Sequence, residues 1–442
     1  MRSDAHTKAP ATMMGYGYLS PSAPETVLGS RIDPDLGAPP PHFSRPLTPL
    51  NNRLTCLIAV ASRRPESQSP RAPELTVPQL NYVGKDGDHH KVRDQVKVRD
   101  AEMGRERAER ILNEGANISV NLKQTGRLPP WYDPQKFKKG QEFFHQNYFA
   151  LFVSKLAGLI VVLAIASILR VLKMSRKSGD KITAYKRYMA TIHHMLMWYD
   201  GDLEDPQSRA HKSLIMVRGF HCAASNKANG VGFGHISQKD MALTQFGFMG
   251  FSLLNFKLLG LKGTSDQIEG FVHFWRTIGY LMGINDKFNL CDGNPDETEE
   301  ACRIVLERAF VPGLARDDPD FIHFSTALME GMRPVVPILD AGAFMAFTRH
   351  LCGMKHEPCL DNFASRALYN YQLFAHKVLL STPVVSELFR PLLNFLMWFG
   401  LFVCKRWPMV TTLHFGRKVV VLEDEDFETK PKMAPCPLSS QG

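Results

Sequence analysis

The sequence predicts an all-α protein. Apolar residues recur three and four apart from about residue 136 to 404, and strand-like alternation is scarce. Prolines and glycines also interrupt the pattern at helix-length intervals. With 442 residues, 44% of them hydrophobic, the chain can build one large domain with tails. That domain is assigned to residues 125–410.

The elements follow in chain order. Residues 1–85 are rich in Pro, Ser, Thr and Ala and lack apolar periodicity, which predicts disorder. Residues 86–124 carry dense charge of both signs and read as a solvated helix or linker. Paired prolines and an aromatic run, "LPPWYDPQKFKKGQEFFHQNYF", then lead into the domain. Helices are expected over 136–174 with a break, then 181–199, 209–228, 237–255, 265–283 and 296–309. Asp296 is the expected cap of that last one. Further helices are expected over 322–332, 338–352, 361–376 and 385–404, and 411–442 reads as a flexible acidic tail.

Two apolar stretches raise the question of a membrane. Leu156–Leu169 carries no charge, and Tyr148–Leu172 taken as one helix reaches the ~20 residues a span requires. Lys155 would then have to snorkel. A buried core helix fits the shorter stretch equally well. Leu392–Cys404 is too short to span alone and suits the interface. Membrane-associated and fully soluble readings both stay open.

Net charge is +9, with basic residues scattered and no basic block interleaved with aromatics, which argues against a nucleic-acid partner. The eight cysteines include no Cys-x-x-Cys pair and read as isolated thiols of a reducing compartment. No nucleophile elbow, P-loop or dinucleotide fingerprint is present. The paired Glu-x-x-His motifs of a di-iron bundle are missing too. The acidic residues Asp200, Asp202, Glu204 and Asp205 after His193-His194 read as a solvated loop, and His273 as a core histidine.

The chemistry-bearing pattern lies on two helices. In "YKRYMATIHHMLMWYDGD", Arg187 and Thr191 are four apart and share a face. In "SLIMVRGFHCAASNK", Arg218 precedes His221 by three and Ser225 follows by four. A neutral imidazole on a helix, facing an apolar interior, suits axial ligation of haem iron. Such a histidine usually needs its other nitrogen held, by Ser225 or by a carbonyl one turn back. A lone helical histidine is nonetheless more often structural.

"SLIMVRGFHCAASNK", a glycine loop and "ISQKDMALTQFGFMGFSLL" together resemble the MpaB-type and rubber oxygenase family over roughly residues 125–390. The matching features are Arg218, His221, the small residues Cys222–Ala224 and the helix start Ile236–Asp240. "FVHFWRTIGYLMGI" is similar to a later helix of the family. The resemblance implies a globin-like core and a haem b whose iron is held by His221. It also implies a cofactor-binding part for Arg218 and a catalytic pocket role for Arg187 and Thr191. Dioxygen and a hydrophobic, isoprenoid or lipid substrate are the implied partners, with oxidative cleavage or oxygenation of an alkene as the reaction. The endoplasmic reticulum membrane is the implied location, with the cytoplasm as alternative. Some family members place a lysine just before the threonine. Here that position is Ala190, so a lysine-capped iron is not expected from it. The alternative function is a non-catalytic membrane-associated lipid-binding protein that keeps the fold.

Overall fold

The computed structural model describes residues 87–120, 126–354, 360, 362–407, 409–416 and 419. The expected disorder of 1–85 and nearly all of the expected tail lie outside these residues. The described residues form one helical domain, and their single β-bridge pairs Ser119 with Ser237. The chain runs through α1 (Gly87–Asn113), α2 (Pro134–Gln146), α3 (Tyr148–Leu163), α4 (Ala166–Ser175), α5 (Lys181–Asp200) and α6 (Arg209–Gly230). It continues through α7 (Gln238–Leu254), α8 (Ser265–Leu281), α9 (Pro295–Val305), α10 (Val311–Ala315) and α11 (Pro319–Met332). The last elements are α12 (Ala341–Leu351), α13 (Phe363–Phe374), α14 (Pro383–Arg406) and α15 (Met409–Phe415).

Side chains set the helix starts. Asp180, Ser237 and Thr264 each form a capping box with the residue three on, satisfying amides that a helix N-terminus leaves unpaired. The cap of α9 is Asn294, with Pro295 in the first turn, and not Asp296 as expected. Asp296 sits inside that turn, where its charge complements the helix dipole.

Two helix pairs of the core, α2 against α8 and α3 against α7, cross at close range. Each crossing depends on facing glycines. A Cβ on Gly140 would fall 2.4 Å from the carbonyl oxygen of Gly270, and one on Gly158 would fall 2.0 Å from that of Gly247. Backbones can touch only where no side chain intervenes. The aromatic residues stack beside these crossings: the Tyr199 ring lies between Phe144 at 3.7 Å and Phe274 at 4.2 Å.

The structure decides between readings that the sequence left open. Tyr148–Leu172 is not one helix: α3 ends at Leu163, and Ile165 takes an extended conformation before α4. Most of α3 is buried, so it is a core helix, and Lys155 does not snorkel but sits inside at 7% exposure. The Leu392–Cys404 stretch belongs to a 24-residue helix, α14, long and apolar enough by composition to cross a membrane. Finally, α1 is helical but not a free linker. It packs on α9, burying Ile111 and Ala108, and Arg107 pairs with Glu297 at 2.8 Å.

Candidate functional site

Helix α5 starts where Asp180 accepts from the amides of Ile182 and Thr183, at 2.9 and 3.1 Å. That start fixes the phase that turns Arg187, Ala190, Thr191 and His194 toward a cavity. Helix α6 starts where Ser208 accepts from the amide of His211 and presents Val217, Phe220, His221 and Ala224 to the same space. The two helices are joined by polar contacts: Trp198 Nε1 donates to Ser213 Oγ at 3.1 Å, and His194 Nδ1 lies 2.8 Å from that oxygen.

The cavity has a volume of about 1150 Å³. That exceeds the roughly 300–1,000 Å³ usual for small-molecule sites. Its wall is mostly apolar, with Phe152, Leu156, Phe248 and Ile278 from α3, α7 and α8 facing α5 and α6. Arg176, Lys177, Lys186 and Lys227 also border it and supply a basic section. Arg176 ends α4 with φ at 54°, the left-handed conformation that turns the chain back toward α5.

His221 is placed in the cavity wall, and its Nδ1 is buried with no hydrogen-bond partner. Burial, and secondarily the charge of Arg187, push its pKa down to about 4. The ring is therefore neutral at pH 7, with a lone pair to give. Nothing holds this buried nitrogen, so the hydrogen bond expected at the ring's second nitrogen is not made. Ser225 does not hold the ring. Its hydroxyl accepts from the Ile236 amide at 3.0 Å and lies 3.3 Å from His235 Nδ1, so it ties α6 to the start of α7.

Arg187 donates to Ser175 Oγ at 3.0 Å, which fixes the guanidinium at the cavity edge. Thr191 donates to the Arg187 carbonyl at 3.1 Å, so toward the cavity its oxygen acts as an acceptor. Arg187, Thr191 and His221 thus border one space. Arg218 does not. It is buried, and Nη1 donates to the Leu281 carbonyl at 3.3 Å, joining α6 to the end of α8.

The helix start Ile236–Asp240 is occupied with structure. Ser237 and Asp240 form the capping box, while Gln238 donates to the carbonyls of Ser119 and Gly283 and accepts from the Asn285 amide. The Asp202 and Asp205 carboxylates accept from amides two residues on, and His273 Nε2 accepts from the Asp133 amide. Among the described residues no group of three or more His, Cys, Asp and Glu side chains could hold a metal ion. A single imidazole in an apolar wall therefore suits a metal that brings its other ligands with it.

Sequence reasoning missed a second polar cluster. Lys155, from α3, and Trp275, from α8, border the cavity, and Lys155 Nζ has no hydrogen-bond partner. The signal was one lysine in the apolar run "FVSKLAGLIVV".

Residues 143–376 match the family described as ER-bound oxygenase mpaB/B'/Rubber oxygenase, catalytic domain. A solved structure of latex clearing protein in the closed state is similar at 19% identity over 62% of this chain and 76% of that one. Its TM-score is 0.42, too low to carry an argument about the site. None of the curated proteins matches the chain.

Proposed function

Because the chain belongs to the ER-bound oxygenase MpaB/rubber oxygenase catalytic-domain family, we propose that it is a haem-dependent oxygenase of an unsaturated hydrophobic substrate. One observation supports this most: a neutral imidazole with an unpaired buried nitrogen borders a large apolar cavity together with Arg187 and Thr191. His221 would hold the iron, and the basic residues Arg176, Lys177, Lys186 and Arg187 would meet the haem carboxylates. When bound, haem supplies a redox-active iron for chemistry with dioxygen.

The protein's own residues do the rest. Arg187, fixed by Ser175, keeps a positive charge in a dry space, where it orients an anionic or polarised group. Thr191 offers a hydroxyl oxygen as acceptor to a substrate or water proton. The apolar wall excludes water and takes up an isoprenoid or lipid chain. Arg218 is a positioning residue that fixes α6 near His221, and no cofactor contact is assigned to it.

Membrane docking falls to α14. Its inner face packs on the domain through Leu393, Leu401 and Cys404, while Leu388, Phe395, Trp398 and Phe402 face outward. Arg390 fixes the helix by donating to Asn147 Oδ1 and to the carbonyls of Gly260 and Leu380. With its inner face fixed to the domain and its outer face apolar, α14 would lie in a membrane plane, with Lys405 and Arg406 among the head groups. Met397 and Leu401 also border the cavity, so a lipid has a short path inward.

Oxygen uptake by haem-loaded protein with an unsaturated lipid tests the reading. Uptake that is lost in His221→Ala is the expected result. A haem-free protein that carries stoichiometric lipid and takes up no oxygen would favour the lipid-binding alternative. Flotation with vesicles, abolished by Phe395→Glu with Trp398→Glu, tests the docking face.

A further inference from the structure

Lys155 is buried among rings. Nζ lies 5.2 Å from the centroid of Phe144, 5.4 Å from Tyr199, 5.7 Å from Phe271 and 5.9 Å from Trp275. Among the described residues no carboxylate pairs with it, and Nζ makes no hydrogen bond. Two of these rings also carry a buried polar atom without a hydrogen-bond partner, Tyr199 Oη and Trp275 Nε1. The indole N–H lies close to the tyrosine oxygen but lacks the geometry of a hydrogen bond. Three helices, α3, α5 and α8, therefore bring unmet polar side chains around one dry region. A lysine can give three hydrogen bonds, an indole one and a phenol one, while only the phenol oxygen accepts. Such a corner is incomplete without an acceptor, and each unmet buried group costs about 1–3 kcal/mol.

The acceptor that matches is an anion with two oxygens. Lys155 and Trp275 belong to the wall of the same cavity as His221, and the wall between is apolar. A carboxylate at one end of a hydrocarbon chain has this division of polarity. The ring faces around Nζ favour a cation there, so the amine can carry its proton once the carboxylate arrives.

We propose that Lys155 and Trp275 form a carboxylate-binding corner of the cavity, which takes the head group of a long-chain unsaturated fatty acid. A haem carboxylate offers the same chemistry. The proposal rests on the oxygenase reading for calling the fatty acid a substrate, but the binding itself does not.

The test uses the full-length, delipidated protein, first without haem. Affinities for oleate and for methyl oleate are compared by fluorescence displacement, in wild type, Lys155→Met and Trp275→Phe. Wild type is expected to prefer oleate by at least about tenfold, since a hydrogen bond to a charged group contributes about 1.5–3 kcal/mol. Lys155→Met is expected to lose that preference while keeping its affinity for the ester. Trp275→Phe keeps the ring, loses one donor and is expected to weaken the preference, which preserves the test if the methionine variant does not fold. Haem titration of the same proteins separates the two sources. If wild type shows no oleate preference and Lys155→Met lowers haem affinity at least tenfold, the corner holds a haem carboxylate. Equal binding of acid and ester with unchanged haem affinity in Lys155→Met overturns the proposal. A wild type that takes up no haem but prefers oleate sinks only the oxygenase reading.

Discussion

The α3–α7 crossing and the α5–α6 wall are neighbours in one core, yet they are built on opposite rules. At the crossing, Gly158 and Gly247 let two backbones touch. At the wall, bulky residues such as Trp198, Phe220 and Met195 border about 1150 Å³ that they do not fill. Protein interiors are normally packed to crystal density. A void of that size beside a glycine-locked crossing is therefore a built feature, because the rigid crossing stops the helices from collapsing into it. The polar atoms divide the same way: the crossing has Ser154 and Ser252 paired at 2.8 Å, whereas the cavity wall has unpaired atoms at His221, Lys155 and Trp275.

The largest expected effect comes from breaking the crossing. Gly158→Val places a branched side chain where even Cβ would meet a carbonyl oxygen at 2.0 Å. The loss of stability is expected to reach or exceed the ~3 kcal/mol upper end of ordinary overpacking. Denaturant melts of this variant would show it, and near-wild-type stability would mean the crossing does not hold the cavity open.

Next comes Lys155→Met, which should stabilise the ligand-free protein by about 1–3 kcal/mol, because it removes a buried polar group left without a partner. The sign with pH follows from burial, which pushes the lysine from its ordinary 10.5 down to about 7. Between those values the unfolded chain binds the proton and the folded one does not, so wild-type stability rises as pH goes from about 7 to 10.5. The methionine variant should lose that contribution to the slope. Melting temperatures across this range decide it, and identical slopes would mean that Nζ is hydrated or paired.

A smaller effect is expected from Thr191→Val. It removes one hydrogen bond, so stability falls by about 0.5–1.5 kcal/mol. Loss of an acceptor contact of about 1.4 kcal/mol in the transition state lowers kcat about tenfold. Steady-state oxygen uptake checks this, and an unchanged kcat would leave Thr191 a helix residue only.

The helices could be read from the sequence because their apolar spacing and capping residues are local. The break expected within 136–174 could not be placed at Ile165, because "LAGLIVVLAIASIL" is apolar throughout and periodicity cannot mark a break inside such a run. Asn294 was passed over for Asp296 because both cap well and only the backbone decides. Arg187, Thr191 and His221 stood out through the resemblance to the oxygenase family, since spacing alone favoured a structural histidine, and they do share a cavity. Arg218 lies in the same pattern but turns to the Leu281 carbonyl, because a residue three positions away on a helix is displaced by about 60° around the axis. The ring environment of Lys155 was not legible, because Tyr199, Phe271 and Trp275 lie more than forty residues away and only Phe144 is near in sequence. Side chains that distant are not visible in a local window.

The central claim is that the His221 imidazole holds a haem iron. The most direct measurement is the Soret absorption of haem-reconstituted wild type beside His221→Gly, with and without added imidazole. The expected result is a Soret band with about one haem per chain in wild type, its loss in the glycine variant and its return when imidazole enters the space left by the ring. A band unchanged by the substitution, or a wild type that takes up no haem, would contradict it.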